Sequence, residues 1–245
     1  MAAVVDARRG RVWSQQGEGL ELRPRYRWSV HRRSLFESWA DDYDPAADLD
    51  FPFGDYERVL DRIAELAAQR RPPRILELGV GTANLTRKIR QRLPAAKIIG
   101  IDFSAAMLTR AREAVPDARF VVHDLRELPL PAVARACQVA VAAYVLHEFD
   151  DDFKVRLLSA LLAETLEPGG VCIVGDVGFA DVRSRDEARR ALAEKWDPDE
   201  HYFAASEFVA RASAQGLQIE TERIGPHALV LVIEHAAMPP PPDST

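Results

Sequence analysis

The stretch Arg74-Ile75-Leu76-Glu77-Leu78-Gly79-Val80-Gly81-Thr82-Ala83-Asn84-Leu85 constrains the fold more than any other. An apolar run ends in a Gly-x-Gly turn and passes at once into a helix start. Glycine at 79 and 81 lets the backbone turn sharply and approach a ligand without Cβ atoms in the way, and Thr82 is placed to cap the helix that follows. Strand, tight turn and helix in this order predict a nucleotide-type cofactor at the turn. A pyrophosphate fingerprint wants a third glycine three residues after Gly81, but Asn84 stands there, which argues against a dinucleotide.

The chain repeats the strand-to-helix pattern. Lys97-Ile98-Ile99-Gly100-Ile101 ends in Asp102, 21 residues after Gly81, where an acidic side chain can take both ribose hydroxyls. Ser104 then reads as a helix cap. A third strand, Phe120-Val121-Val122-His123, leads to Asp124-Leu125, and a fourth apolar run extends from Val139 to Phe149. A turn at Leu166-Glu167-Pro168-Gly169-Gly170 precedes a fifth strand, Val171 to Asp176. Between them, Leu85, Ile89 and Leu93 recur at helical spacing, as do Met107, Leu108, Ala111 and Val115, and then Phe153, Leu157, Leu161 and Leu162. The last of these helices begins at the acidic run Asp150-Asp151-Asp152, which suits the positive end of a helix dipole. Strands alternating with helices predict a mostly parallel sheet. Two final runs, 217–224 and 228–233, joined by Gly225-Pro226-His227, predict an antiparallel hairpin at its edge.

In this order, over residues 74–176, these segments resemble the class I S-adenosylmethionine (SAM) dependent methyltransferases. The resemblance rests on Glu77-x-Gly79-x-Gly81-x-Ala83, on the segment from Asp102 to Arg112 with its Asp-x-Ser-x-x-Met-Leu-x-x-Ala-Arg pattern, and on Leu166-x-Pro168-Gly169-Gly170. It implies a Rossmann-like α/β fold with a seven-stranded, mostly parallel sheet, an antiparallel terminal hairpin and an N-terminal helical cap. It also implies SAM as cofactor, bound by Glu77, Gly79, Gly81 and Asp102, with Phe103 beside adenine, Asp124 and Leu125 at the adenine amino group, and Tyr144 on the segment facing the transferring methyl. The pattern Phe36-x-x-Trp39-Ala40-x-x-Tyr43-Asp44 is similar to the entry segment of small-molecule methyltransferases of the quinone-biosynthesis kind. There Tyr43 would lie over the cofactor. That tyrosine and Trp39 could equally glue the cap to the domain.

Length suits one α/β domain with appendages. The expected divisions are a basic arm and helical cap over 1–70, a SAM-binding domain over 71–236 with a substrate-side insertion at 179–214, and a disordered proline-rich tail over 237–245. Residues 1–33 hold eight arginines against three acids, a charge of +5, so the rest carries −11 of the total −6. An acidic body does not attract nucleic acid nonspecifically. The arm reads as a solvated extension, with a targeting peptide, an anion-binding flap or an RNA contact as the alternatives. Cys137 and Cys172 fall in apolar strand-like runs, and no run reaches the ~18 apolar residues of a membrane span. Neither a disulfide framework nor a membrane association is expected, and the location expected is cytoplasmic. A homodimer stays open.

Methyl transfer from a sulfonium is an in-line displacement that needs alignment and exclusion of water rather than a protein nucleophile. Where the acceptor carries a proton, His147 is the candidate base, just past strand four, with Asp176, His201 and Glu148 as competitors. Tyr144 and Asp176 complete the expected catalytic group. The histidines lack a His-x-x-x-His pair or cysteine neighbours, so no metal is expected. No Asn/Asp-Pro-Pro-Tyr motif occurs at Tyr144, and neither cysteine reads as a loop nucleophile, which disfavours nucleic-acid methylation. A small-molecule acceptor held by aromatics such as Tyr144, Tyr202 and Phe203 is the reading that remains. Its rivals are another SAM chemistry, such as cyclisation or aminocarboxypropyl transfer, and a noncatalytic SAM-binding module.

Overall fold

The computed structural model describes residues 55–235, together with two short strands, Val4–Asp6 and Arg11–Trp13. These two strands pair antiparallel, Val4 opposite Trp13. They belong to a compact unit of residues 1–43, and Asp44–Thr245 forms a second. The expected cofactor-covering segment around Trp39 and Tyr43 and the proline-rich tail lie outside the described residues.

The second unit is built on one sheet. Its strands are β1 (Arg74–Leu78), β2 (Lys97–Asp102), β3 (Arg119–Val122), β4 (Cys137–Ala143), β5 (Leu166–Phe179), β6 (Phe203–Ala204), β7 (Leu217–Arg223) and β8 (Ala228–His235). Their order is β3-β2-β1-β4-β5-β8-β7, with the two-residue β6 beside the end of β5. Strands β1 to β5 run parallel, and β8 lies antiparallel to both β5 and β7. The parallel core and terminal hairpin are those the sequence predicts, and β6 makes an eighth strand. The strand order reverses between β1 and β4, which opens a crevice at their carboxyl ends where ligands bind in such sheets.

Alternate residues of each strand face opposite layers. Ile75, Ile98, Val139, Val141, Ile173 and Val230 pack under α1 (Tyr56–Gln69) and α2 (Asn84–Arg92). Leu76, Leu78, Ile101, Ala140, Cys172, Val174 and Leu231 face the other layer, which includes α4 (Asp151–Ala160) and α6 (Ala205–Ser213). Between these helices in sequence lie α3 (Ala105–Ala114), packed by Leu108 and Ala111 on Val80 and Phe120, and α5 (Val182–Ala191) in the insertion. Helix α1, read from sequence with the cap, buries Val59, Leu60, Ile63, Ala64 and Ala67 against the sheet, and so stands within the 44–245 unit.

Three local differences from the sequence reading have backbone causes. Strand β4 stops at Ala143 rather than running to Phe149, because Tyr144 takes φ +52° and a single 3₁₀ turn, Leu146–Glu148, follows. The Leu166–Gly170 turn is absorbed into β5 as a bulge: Cys137 pairs with Leu166 but Val139 pairs with Val171, and Gly169 at φ +79° takes up the slack. Helix α4, capped by Asp150 through the Phe153 N–H at 2.7 Å, passes into a π turn over Leu161–Thr165 instead of continuing. No helix among the described residues is long and apolar enough to cross a membrane.

Candidate active site

The glycine turn after β1 has a left-handed backbone at alternate positions: Gly79 at φ +67°, Gly81 at +53° and Ala83 at +70°. A Cβ on Gly79 would stand 2.5 Å from Val145 Cγ2, so the turn lies directly against the segment leaving β4. Among the described residues a Cβ on Gly81 would meet no atom within 4 Å, so these leave this side of the turn open. The expected cap at Thr82 is not formed. Ala83 occupies the N-cap position of α2 and no side chain closes the helix, since a left-handed residue there turns the preceding chain away from the helix end.

Asp102, at the end of β2, is 7% exposed and faces this turn. Its Oδ2 accepts the Gly81 N–H at 2.8 Å and its Oδ1 the Ser104 N–H at 2.8 Å. Burial pushes its carboxyl upward, against the backbone N–H groups of Ser104, Gly81 and Phe103. Ser104 caps α3 as expected, its Oγ accepting the Met107 N–H at 3.2 Å. The His123 N–H donates to the Asp102 carbonyl at 2.9 Å, which brings Asp124 and Leu125 to the same end of the sheet. Asp124 is partly exposed and accepts the Arg126 N–H at 3.0 Å, whereas the Leu125 side chain is buried in the core. Phe103 is half-buried.

Glu77 differs from these, being buried beneath the turn where its Oε2 accepts the Thr86 hydroxyl at 2.6 Å. Burial, reinforced by the charge of Asp102 and opposed by the Thr86 bond, pushes its carboxyl up to about 8. It braces α2 against β1. On the far side of the turn Tyr144 stacks on Tyr56, ring centroids 5.3 Å apart, and the Tyr56 hydroxyl accepts the Asn84 amide at 3.1 Å. Tyr56 and Asn84 were not singled out as site residues from sequence. Asn84 was noticed only as the missing third glycine.

His147 and Asp176, 29 residues apart, meet behind this wall. Nδ1 of His147 lies 2.6 Å from Asp176 Oδ1, and the same carboxylate accepts the N–H groups of Leu146, His147 and Val177 at 2.8, 3.1 and 2.7 Å. Asp176 is fully buried and His147 is 4% exposed. Nε2 of His147 stands 3.7 Å from Glu148 Oε1 and 3.7 Å from Glu200 Oε1. Burial opposes the charged imidazole, but the carboxylates of Asp176, Glu200 and Glu148 prevail and raise it to about 9. The Nδ1 contact to Asp176 fixes the orientation of the ring and leaves Nε2 as the edge that faces the two glutamates.

The insertion supplies the rest of this corner. Tyr202 is buried with its ring 6.2 Å from that of His147 and 4.7 Å from Trp196, and the His201 N–H donates to the His147 carbonyl at 2.7 Å. The His201 side chain is exposed, and Phe203 is core, packed on Phe208. Lys154, fully buried, donates to Asp151 at 2.8 Å and to the His201 carbonyl at 2.6 Å, which pins the insertion to α4. Cys137 and Cys172 are buried free thiols, and burial raises Cys172 to about 12. Burial raises the Cys137 thiol as well.

A parallel sheet in this order, with a left-handed glycine turn and a facing carboxylate at the point of reversal, defines a Rossmann-like nucleoside-binding enzyme. Residues 75–170 match the model of a methyltransferase domain family. An uncharacterized methyltransferase of Geobacillus kaustophilus is 33% identical over 165 residues, which span 65% of this chain and 72% of that protein. A demethylmenaquinone methyltransferase of Thermotoga maritima is 29% identical over 125 residues, about half of each chain (51% and 53%). In fold, the DhpI structure in complex with SAH superposes with a TM-score of 0.62 at 20% identity, covering 84% of this chain and 95% of that one. The chain belongs to the class I SAM-dependent methyltransferases, and its cofactor is S-adenosyl-L-methionine.

Proposed function

We propose that this methyltransferase acts on a small-molecule acceptor, by in-line displacement, at the carboxyl ends of β1, β2, β4 and β5. The observation that carries the reading is the pairing of two preorganised carboxylates on either side of the glycine turn. Asp102 is anchored by Gly81 and Ser104, and Asp176 is anchored by three N–H groups and holds His147. The open side of Gly81 and the Asp102 carboxylate that faces the turn fit a nucleoside with two ribose hydroxyls. When bound there, SAM supplies an activated methyl group on a sulfonium.

On this reading Gly79, Gly81 and Asp102 hold the ribose side, and Phe103, Asp124 and the Leu125 backbone hold the adenine. Glu77 positions the turn through Thr86. Tyr144 backs the turn. His147, with its Nδ1 fixed by Asp176, orients the acceptor side of the site, and the 179–214 insertion excludes water through Trp196 and Tyr202. The acidic body favours a small acceptor over nucleic acid. The Thermotoga relative, a demethylmenaquinone methyltransferase, supports the same class.

The test is to incubate the protein with methyl-labelled SAM and fractionated metabolite extract, and to identify the cofactor product. S-adenosylhomocysteine with label in a small molecule is the expected result. Methylthioadenosine would assign a different SAM chemistry, and neither product would assign a binding module. With the acceptor in hand, His147→Ala should lower kcat by about 10²-fold, the cost of a misplaced reactant, and leave SAM affinity within a few-fold. Unchanged turnover would remove His147 from the reaction.

A further inference from the structure

The unpaired edge of His147 points to a function that the cofactor reading does not absorb. Among the described residues Nε2 of this buried ring makes no hydrogen bond, and the oxygens of Glu148 and Glu200 stand 3.7 Å from it, beyond hydrogen-bond reach. An imidazolium merely paired with glutamates would draw one of them in to about 2.8 Å. Here both carboxylates stand back from the ring, with Glu200 accepting the Tyr202 hydroxyl. One ligand atom from each of His147, Glu148 and Glu200 lies within 4.8 Å of the other two. Ligands ~2.1 Å from a tetrahedral ion are ~3.4 Å apart, so a small rotation of the glutamate side chains closes the set.

The surroundings are those of a built site. Asp176 fixes the ring through Nδ1 at 2.6 Å, in the carboxylate–histidine arrangement that orients an imidazole toward a metal. Asp176 is itself immobilised by three backbone N–H groups. The segment bearing Glu200 is tied to the same turn twice, by the His201 N–H on the His147 carbonyl and by Lys154 on the His201 carbonyl. Glu200 and Glu148 are each mostly shielded from solvent, with side-chain exposures of 12% and 11%.

We propose that His147 Nε2 and the carboxylates of Glu148 and Glu200 bind one divalent first-row transition ion, with Asp176 as the outer partner of the histidine. One imidazole and two carboxylates suit Mn²⁺ through Zn²⁺ better than Mg²⁺, which keeps to oxygen ligands and water. Three protein ligands leave a coordination position open. Resting on the methyl-transfer reading, that position would take an acceptor oxygen and lower its pKa so that its proton passes to solvent water before the methyl is transferred, which makes an oxygen-bearing acceptor the substrate class.

The experiment is a calorimetric titration of the chelator-treated full chain with Zn²⁺ and, separately, Mn²⁺, with neither SAM nor acceptor present. One equivalent should bind per chain. Glu148→Gln and Glu200→Gln should each weaken binding by at least the 10–100-fold seen when outer partners are lost, while circular dichroism and SAM affinity stay at wild-type values. Co²⁺ in place of Zn²⁺ should give visible absorption that both variants diminish. Absence of stoichiometric binding by the wild-type chain, or binding unchanged in both variants, would overturn the site. Because the titration contains no cofactor and no acceptor, failure of methyl transfer leaves its outcome intact, and failure of ion binding leaves the methyl-transfer reading to its own test.

Discussion

Asp102 and Glu77 are both buried acids near the turn, and their partners give them opposite duties. Asp102 accepts the main-chain N–H groups of Gly81 and Ser104 through separate oxygens, with the Phe103 N–H beside them, and faces the turn where a ligand would sit. Asp102→Ala should therefore weaken SAM by about 2–4 kcal/mol, roughly 30- to 1000-fold. From sequence the carboxylate shows no partner other than the cofactor. The structure adds the Gly81 and Ser104 bonds, so the variant should also unfold at lower temperature without ligand, and unchanged apo stability by calorimetry would contradict them. Glu77 holds its proton to about pH 8 in the fold, against 4.5 for an ordinary glutamate. Its native pKa lies above the unfolded one, so its contribution is complete below about pH 4.5 and is lost as pH rises through about 8. Glu77→Gln keeps an oxygen for the Thr86 hydroxyl and cannot ionise. Urea unfolding at pH 6 and pH 9 should show a smaller loss of stability in the variant, and parallel losses would mean that Glu77 is ionised throughout.

At the scale of elements, the site depends on one contact between two turns that the sequence keeps 66 residues apart, Gly79 after β1 and Val145 after β4. Gly79→Ala meets both a strained positive φ and the Val145 side chain, with overpacking of this kind costing about 1–3 kcal/mol. Val145→Ala opens the space. The double variant should recover part of the Gly79→Ala loss in both stability and SAM affinity, with a coupling of about 0.5–3 kcal/mol. Strictly additive effects would show that the two turns do not bear on each other. The strands themselves were legible because alternate apolar residues in β1, β2 and β4 serve two different layers. The end of β4 was not, because a run from Val139 to Phe149 carries no glycine or proline to announce that Tyr144 adopts φ +52°.

At the scale of the molecule, a ligand that binds only the folded state stabilises it by mass action. With SAM at ~100 times its Kd the gain is about 2.7 kcal/mol, which for a domain of this size is roughly 5–10 °C in Tm. Thermal scans with and without SAM should show this shift for the wild type and little of it for Asp102→Ala at the same concentration. A wild-type Tm indifferent to SAM would place cofactor binding outside the 44–245 unit as it is folded here.

Sequence by itself determined the strand order's raw material and the cofactor half of the site. The glycine turn, Asp102, Ser104 and the terminal hairpin are local signals, written within a few residues by backbone sterics, capping and side-chain alternation. The corner proposed to hold the acceptor was decided by tertiary structure. His147, Asp176 and Glu200 come from three separated segments, and no spacing rule joins position 147 to position 200. What joins them is the parallel pairing of β4 with β5, which sets Tyr144 opposite the end of β5, and the buried Lys154, which draws the insertion onto the same turn. Burial raises the Glu77 carboxyl beneath the turn, whereas at His147 the carboxylates of Asp176, Glu200 and Glu148 raise the imidazole against the effect of burial. A side chain's protonation depends on the neighbours and the dielectric that only the folded chain supplies.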